Sequence, residues 1–459
     1  MRTTYSAAAI GFALFLPLFS SATAPASAAG ETCDGKPATI VAGPPDTFGH
    51  LVTGTPGDDV IVGTDEGNRI DGGGGNDTIC ALGGADEIIG GAGDDRLFGG
   101  LDATYEPDEP YWGDVIQPGP GDDYIDLGAD LNSADIYYDA VHADKVSYAD
   151  AAGPVVVDLV ALTATGHGHD TLAPTPATKF TGVIGSPFAD VLSGGPAHDE
   201  IDGGGGDDVI TGGPGADDLD GDLATGLDHE GLPEPGNDVV SGGPGNDSVS
   251  GYLGEDVLRG EDGHDTLWGD PLWHLEGTQS HPATLVGGAG NDLLHVRLVP
   301  GAAARGGAGD DSLDVVLPRR HRGEPGRTIA GGAGRDDLYV DYYGSDSGYN
   351  LLIHVPRQVI RHTGKRETTL TGVEEFEVEG HPAPGLVTFR GGRNPEVFRL
   401  GSAQGIRVRA FGAGGADELI GGARADLLNG GRGRDHLDGG SARDRCLAGE
   451  RLQRCERRR

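Results

Sequence analysis

A unit of nine residues recurs without a gap along much of this chain. It constrains the fold more than any other feature. Gly54–Phe98 divides into five such units: GTPGDDVIV, GTDEGNRID, GGGGNDTIC, ALGGADEII and GGAGDDRLF. Runs of four units cover Gly185–Asp220, Pro233–Trp268 and Gly412–Leu447. Across these 17 units the sixth place is Asp in 16, with Asn68 the exception. The eighth place is Ile, Leu or Val in 16, with Cys446 the exception. Isolated units stand at Pro118–Asp126, Gly287–His295, Gly306–Asp314 and Gly331–Tyr339. A fixed period of this kind marks a stacked repeat architecture.

Each unit reads as a Gly-rich turn followed by a three-residue strand with one inward apolar side chain. Side chains alternate across a strand, so the eighth residue points in while its neighbours point out. One unit cannot bury that residue alone. Two units make a coil of about 18 residues with short strands on opposite sheets, and coils stack at ~4.8 Å. The spacing therefore predicts that Asp59, Asp77 and Asp95 line one edge and Asn68 and Asp86 the other. It pairs Asp190 with Asp208 and Asp199 with Asp217 in the same way.

Composition turns this geometry into chemistry. The chain has 459 residues, of which 84 are Gly, and a formal net charge of −40. So acidic a chain opposes nucleic-acid binding through phosphate neutralisation. Collagen is excluded because the Gly residues follow no three-residue phase. Beyond the first 30 residues no apolar run reaches the ~18 needed for a membrane span. Disorder is the default for such a composition unless the acids have a specific partner. Carboxylates stacked ~5 Å apart repel unless a cation sits between them. Carboxylate and carbonyl oxygens suit Ca²⁺, which accepts six to eight such ligands, better than Mg²⁺ with its tight octahedron. Salt adaptation would scatter the acids, whereas here Asp is in phase.

The GGxGxDxUx pattern resembles the haemolysin-type, or repeats-in-toxin (RTX), calcium-binding nonapeptide, and the chain is similar to secreted actinobacterial members of that superfamily. The resemblance implies an all-β fold: a parallel β-roll, or β-helix-like solenoid, of nonapeptides stacked on multiple Ca²⁺ ions. It also implies that the sixth-place Asp of each unit binds Ca²⁺. Those residues are Asp59, Asp77, Asp86, Asp95, Asp123, Asp190, Asp199, Asp208, Asp217, Asp238, Asp247, Asp256, Asp265, Asp292, Asp311, Asp336, Asp417, Asp426, Asp435 and Asp444. Turn Gly residues would add carbonyl oxygens. The chain departs from the secreted toxins in two ways. It has an N-terminal export signal, and no toxin, protease or lipase domain is recognisable ahead of the repeats.

Two stretches carry few repeat signals. One holds VSYADAAGPVVVDLVALTATG, the other NLLIHVPRQVIRHTG and LTGVEEFEV. Alternating apolar residues suggest strands in both, each followed by a Thr-Gly-Val turn (Thr181-Gly182-Val183 and Thr371-Gly372-Val373). They read as coils of the same solenoid held by apolar packing; two small globular modules are the alternative. Loops Gly99–Gln117, Gly221–Leu232 and Gly269–Val286 interrupt the repeats. Trp112, Trp268 and Trp273 lie in or beside them, with Tyr105, Tyr111 and His274. These aromatics read as staples holding loops to the roll; stacking on sugar rings is the alternative. The Arg-rich end, from Arg443 to Arg459, reads as a solvated cap, with an anionic wall polymer as the alternative partner.

No strong catalytic motif appears. His229-Glu230 lacks the second His of a zincin box, and no G-x-S-x-G elbow is present. His167, His169 and Asp170 read as a loop, or as a local transition-metal cluster. A polysaccharide lyase or epimerase using Arg357, Arg361 or Lys365 beside a structural Ca²⁺ is the enzyme alternative. Met1–Ala29 reads as a secretory signal peptide cleaved after Ala26-Ser27-Ala28. Four Cys in an exported chain suggest disulfides, and sequence proximity favours Cys33–Cys80 and Cys446–Cys455. The latter needs a narrowed end, because sheets ~10 Å apart exceed disulfide reach.

The expected layout is a signal peptide at 1–28, a cap at 29–53 and a calcium-binding roll at 54–126. A calcium-poor β segment at 127–184, a second roll at 185–339, a second calcium-poor segment at 340–411 and final repeats with the Arg-rich tail at 412–459 follow. The expected function is that of a secreted, non-catalytic protein that folds on binding Ca²⁺ outside the cell. Its role would be structural or adhesive, with a cell-surface or extracellular glycan as a possible partner. The sequence assigns no oligomeric state.

Overall fold

The computed structural model describes residues 31–43, 50–102, 113–130, 144–174, 181–222, 236–269, 281–317, 328–342, 350–362, 366–379, 385–401 and 405–455. The chain winds as a solenoid of two facing parallel sheets. In the first sheet Ile40–Val41, Val60–Thr64, Thr78–Gly83, Arg96–Asp102 and Tyr124–Asp126 pair in turn. In the second, His50–Thr53, Asn68–Asp71, Glu87–Ile89 and Val115–Gln117 do the same. The register is that of the repeat: Ile61 lies beside Ile79, and Ile70 beside Ile88, 18 residues on. Each ladder is open, since its first and last described strands have one neighbour each.

The eighth residues fill the space between the sheets. Ile61, Ile70, Ile79, Ile88 and Leu97 are all fully buried. In strands such as Tyr124–Asp126 and Thr266–Trp268 the middle residue is buried and its neighbours are half-exposed, which is the period-two burial the sequence predicts. One apolar side chain per unit makes a thin core, so the sheets stay close and the fold grows only along its axis. The sole helical element among the described residues is the short turn Val355–Arg357. No helix among them is long and apolar enough to cross a membrane.

The repeat-poor stretches continue both ladders. In the first sheet Val156–Asp158, Thr163–Thr165 and His169–Leu172 form an antiparallel meander. Its last strand pairs with Tyr124–Asp126 and its first with Val191–Ser193, both in parallel. Asn350–His354, Val359–His362 and Arg366–Thr371 repeat the device between Thr328–Ala333 and Gly385–Arg390. Meanwhile the second sheet runs on through Asp144–Ser147 and Thr181–Ile184, and later through Glu375–Val378 and Val397–Leu400. Larger side chains fill these coils: Tyr148 in one, and Phe376, Phe389 and Phe398 in the other. The ring of Phe389 lies 5.2 Å from that of Phe376 and 4.9 Å from that of Phe398.

Three local expectations change. Thr181-Gly182-Val183 is a strand, not a turn. Gly182 sits between Lys145 and Glu200 in the ladder, and its missing side chain leaves room for Lys145 to ion-pair with Glu200. Thr371-Gly372-Val373 does turn, with Gly372 at φ +58°. The first and third excursions are shorter than read, because Arg96–Asp102, Val115–Gln117 and Thr284–Ala289 are strands. Finally, Cys455 is not an inward strand residue. It follows Arg451–Gln453 and the left-handed residue Arg454, φ +48°, where the chain folds back. That return brings its Cα to 5.6 Å from that of Cys446 and resolves the reach problem. Cys33 is bonded to Cys80, tying the N-terminal hairpin to the roll. The signal segment, His229-Glu230, Lys365, Trp112, Trp273, Tyr105, Tyr111 and His274 lie outside the described residues.

Apolar packing beside the second meander, on the flanking strand Gly385–Arg390, carries a stability prediction. Phe389→Ala should cost about 3–5 kcal/mol, the range for truncating a fully buried Phe, read as a lower denaturant midpoint. A loss under about 1 kcal/mol would show that this segment is not held by its aromatic core.

Candidate metal centre

Each sixth-place residue immediately precedes its strand or, like Asn68 and Asp199, opens it, and the 18-residue register stacks these residues into files along two edges. All 20 predicted Asp residues are buried. Their side chains turn back into the Gly-rich turn, where one oxygen is used by the neighbouring coil. The N–H of Asp59 donates to Asp77 Oδ1 at 2.8 Å, and that of Asp77 to Asp95 Oδ1 at 2.8 Å. Asn68 donates to Asp86, Asp190 to Asp208 and Asp199 to Asp217 in the same way, as the spacing predicts. The relay also crosses the excursions: Asp208 N–H reaches Asp238, Asp265 N–H reaches Asp292 and Asp311 N–H reaches Asp336.

Away from the file ends, where Oδ2 of Asp199 and Asp426 accepts the N–H of Gly195 and Gly422, the second carboxylate oxygen has no such donor. Oδ2 of Asp77, Asp95, Asp123, Asp208, Asp217, Asp238, Asp247, Asp265, Asp292, Asp311, Asp336, Asp417 and Asp435 is buried without a hydrogen-bond partner. A buried, unsatisfied carboxylate oxygen is costly. The first Gly of the unit makes the space around it. A methyl group on Gly72 would lie 2.6 Å from Asp77 Oδ2 and 2.5 Å from the carbonyl oxygen of Gly90, one coil on. Carboxylate and carbonyl oxygens thus converge on a cradle that only Gly leaves open.

Burial dominates the electrostatics. Desolvation, partly offset by the accepted backbone hydrogen bond and reinforced by neighbouring carboxylates, pushes Asp77 up to about 7, Asp123 to about 8 and Asp208 to about 9. Asp217 rises to about 7 for the same reasons, and Asp238 also rises to about 7. Such groups need either protons or cations. Among the described residues no three His, Cys, Asp or Glu side chains converge. Any ion held here must therefore combine one or two carboxylates with backbone carbonyls, a hard oxygen set that fits Ca²⁺. In that arrangement the ion would supply positive charge to oxygens that have no other partner.

The end of a file is built differently. Asp59 Oδ2 accepts from both the N–H and the hydroxyl of Thr55, each at 2.7 Å, and its Oδ1 accepts from Thr39. Asp190 is capped by the N–H and hydroxyl of Ser186. Both caps occupy the second place of the unit, where most units have Gly. The file containing Asp77, Asp95 and Asp123 ends at Asp170, which accepts from Asp123 N–H at 3.1 Å and from the Tyr148 hydroxyl at 3.0 Å. The His167, His169 and Asp170 motif is thus not a transition-metal cluster. Asp170 serves the file, while His169 lies 3.7 Å from Asp122.

Several file members escaped the sequence reading. Asp86 N–H donates to Asp114 Oδ1, and Asp114 N–H to Asp144 Oδ1, each at 2.9 Å. Glu374 follows Asp336, and Glu450 follows Asp435. None carries the full GGxGxD turn, but each begins an acid-x-apolar-x strand: DVIQ, DKVS, EEFE and ERLQ. That shorter tail was the available signal. On the opposite edge, Asp256 is succeeded by the buried Ala283 and Ala302, so the acids there give way to apolar contact. Trp268 stacks on His295 with centroids 3.6 Å apart, and His295 Nδ1 lies 3.0 Å from Asp314, a staple along the outer face of the second sheet.

Two predictions follow from this geometry. Because Asp59 is capped by hydroxyls and Asp208 is not, Asp208→Asn should weaken Ca²⁺ binding about tenfold, ~1.4 kcal/mol. Asp59→Asn should leave it nearly unchanged; equal effects in calorimetric titrations would contradict this. The second concerns pH. Burial raises these folded-state pKa values above the ~3.9 of unfolded Asp, so the metal-free roll holds protons that the unfolded chain has released. Its stability should be greatest in acid and fall as pH rises from about 4 through about 7 to 9. In chelator the thermal midpoint should therefore drop between about pH 5 and about pH 8, and excess Ca²⁺ should abolish the drop. A chelated midpoint that rises over this range would contradict the account.

Comparison with curated proteins finds no match. The family model for the RTX calcium-binding nonapeptide repeat (4 copies) matches residues 53–88, 81–104, 184–222, 234–267, 284–296 and 411–446. These matches cover the regular runs of the carboxylate files, and the chain carries RTX-type calcium-binding repeats stacked as a parallel β-roll.

Proposed function

We propose that this is a secreted RTX-type protein of the actinobacterial kind, whose roll is assembled by Ca²⁺ outside the cell and which serves a structural or adhesive role without catalysis. The observation that carries the reading is the file of buried Asp oxygens that no donor reaches, set one coil apart beside Gly cradles. The proposed ligands are the 20 sixth-place Asp residues, the hydroxyl-capped Asp59 contributing least, with turn carbonyls completing the shell.

Without the ion, at a pH where the carboxylates are ionised, they repel and the thin core cannot compensate, so the repeats stay largely unfolded. With it, metal-binding free energy becomes folding free energy. Extracellular modules bind Ca²⁺ in the ~10⁻⁴–10⁻³ M range, which suits a chain kept loose for export and locked outside. Met1–Ala29 supports export by its short apolar stretch and small-residue cleavage site. Two disulfides fit an oxidising compartment.

Far-UV circular dichroism of the purified protein during a Ca²⁺ titration, with Mg²⁺ as control, tests the mechanism. A cooperative gain of β signal with Ca²⁺ alone is expected. A spectrum already fully folded in chelator and unchanged by Ca²⁺ would overturn coupled folding and binding.

A further inference from the structure

Residues 391–399 lie outside every match to the repeat family, which resumes only at 411. They nevertheless read GGRNPEVFR: the nine-residue frame with Glu396 in the sixth place and Phe398 in the eighth. The fold treats them as a unit. Phe398 is fully buried, and Val397–Leu400 pairs in parallel with Glu375–Val378 on one side and Glu418–Ile420 on the other. The N–H of Glu396 donates to Asp417 Oδ1 at 3.0 Å, the same relay that joins Asp199 to Asp217. Glu396 Oε1 accepts from Gly392 N–H at 2.9 Å, as Asp199 accepts from Gly195 and Asp426 from Gly422.

The other oxygen is the telling one. Glu396 is only 3% exposed, and no donor reaches its Oε2. A methyl group on Gly391 would lie 2.8 Å from that oxygen and 2.5 Å from the carbonyl oxygen of Gly412. The matching cradle at Gly72 shows 2.6 Å and 2.5 Å. The longer Glu side chain therefore delivers its oxygen to the place an Asp oxygen takes in a consensus unit. Asp417 Oδ2, one coil on, is likewise buried and without a donor.

We infer that Glu396 and Asp417, with turn carbonyl oxygens, form a further divalent-cation site of the Ca²⁺ type, one coil outside the consensus repeats. The inference rests on the calcium reading given above. The Glu396 and Asp417 carboxylates lie within hydrogen-bond reach of each other, so the pair requires a cation or a shared proton, and the carbonyl beside them favours the cation. An ion here clamps Val397–Leu400 to the C-terminal repeats and makes the second repeat-poor segment metal-dependent at one end. The first sheet offers no counterpart at this level, since the place beside Asp426 is taken by the buried Val408, whose N–H donates to Asp426 Oδ1 at 2.7 Å.

Hydrogen exchange of the full-length protein in Ca²⁺, Mg²⁺ or chelator, with native mass spectrometry to count bound ions, tests the site. In the wild type, peptides covering 391–400 should gain protection with Ca²⁺ together with the consensus repeats at 203–268. Glu396→Gln should bind one ion fewer and lose Ca²⁺-dependent protection at 391–400 while keeping it at 203–268. Glu396→Asp should retain the ion. An unchanged ion count in Glu396→Gln would overturn the site. So would wild-type protection at 391–400 that follows pH rather than Ca²⁺, the signature of a shared proton, and this arm stands even if the variant fails to fold. If 203–268 responds to Ca²⁺ and 391–400 does not, this inference alone fails. If neither responds, the calcium reading fails with it.

Discussion

Repulsion between like charges held one coil apart is the constraint on which the rest of the structure depends. The register that buries Ile61 on Ile79 also places Asp59 beside Asp77 and Asp77 beside Asp95. The same short repeat fixes both, so the core cannot form without stacking the acids. Two unit charges ~5 Å apart at an effective dielectric constant of ~20 repel by ~3 kcal/mol. One apolar side chain per unit contributes a stabilisation of about 1.5–3 kcal/mol on burial, before conformational entropy is charged against it. Their similar size explains why such a roll needs a counter-charge. The backbone N–H given to Oδ1 removes part of the cost. The oxygen left over is where a cation would act.

The molecule meets this constraint in more than one way along its length. In the consensus runs the acids stay in file and their second oxygens remain open to an ion. At file ends the chain supplies its own donors: Thr55 for Asp59, Ser186 for Asp190 and Tyr148 for Asp170. Beyond Asp256 it removes the charge altogether with Ala283 and Ala302. In the two repeat-poor stretches it widens the first sheet with an antiparallel meander and fills the space with Tyr148 or with Phe376, Phe389 and Phe398. Apolar packing thus takes over where the acid files thin. The second sheet keeps its acids for longer, so the two edges of the solenoid are chemically unequal.

How much of this was legible depended on how a residue advertises itself. The 17 regular units announced the coil length, the inward residue and the pairing of Asp190 with Asp208, because period and chemistry coincide in them. Asp114, Asp144, Glu374, Glu396 and Glu450 were harder to see. A strand pair imposes only the acid and the alternate apolar residue, while the Gly-rich turn can be replaced by an excursion of any length. The meanders were invisible as topology, since VVVDLVALTATG shows strands but not that they run antiparallel within a parallel ladder. Thr181-Gly182-Val183 misled for the opposite reason. Gly there makes room for Lys145 rather than for a bend.

The most direct test of the central claim is anomalous diffraction from crystals grown in Ca²⁺. The account predicts a row of ion peaks along each edge, lying between successive carboxylates such as Asp77 and Asp95 or Asp217 and Asp247, with the position-one Gly carbonyls among the ligands. Density that is absent from those places, with the carboxylates protonated or paired to protein donors instead, would contradict it.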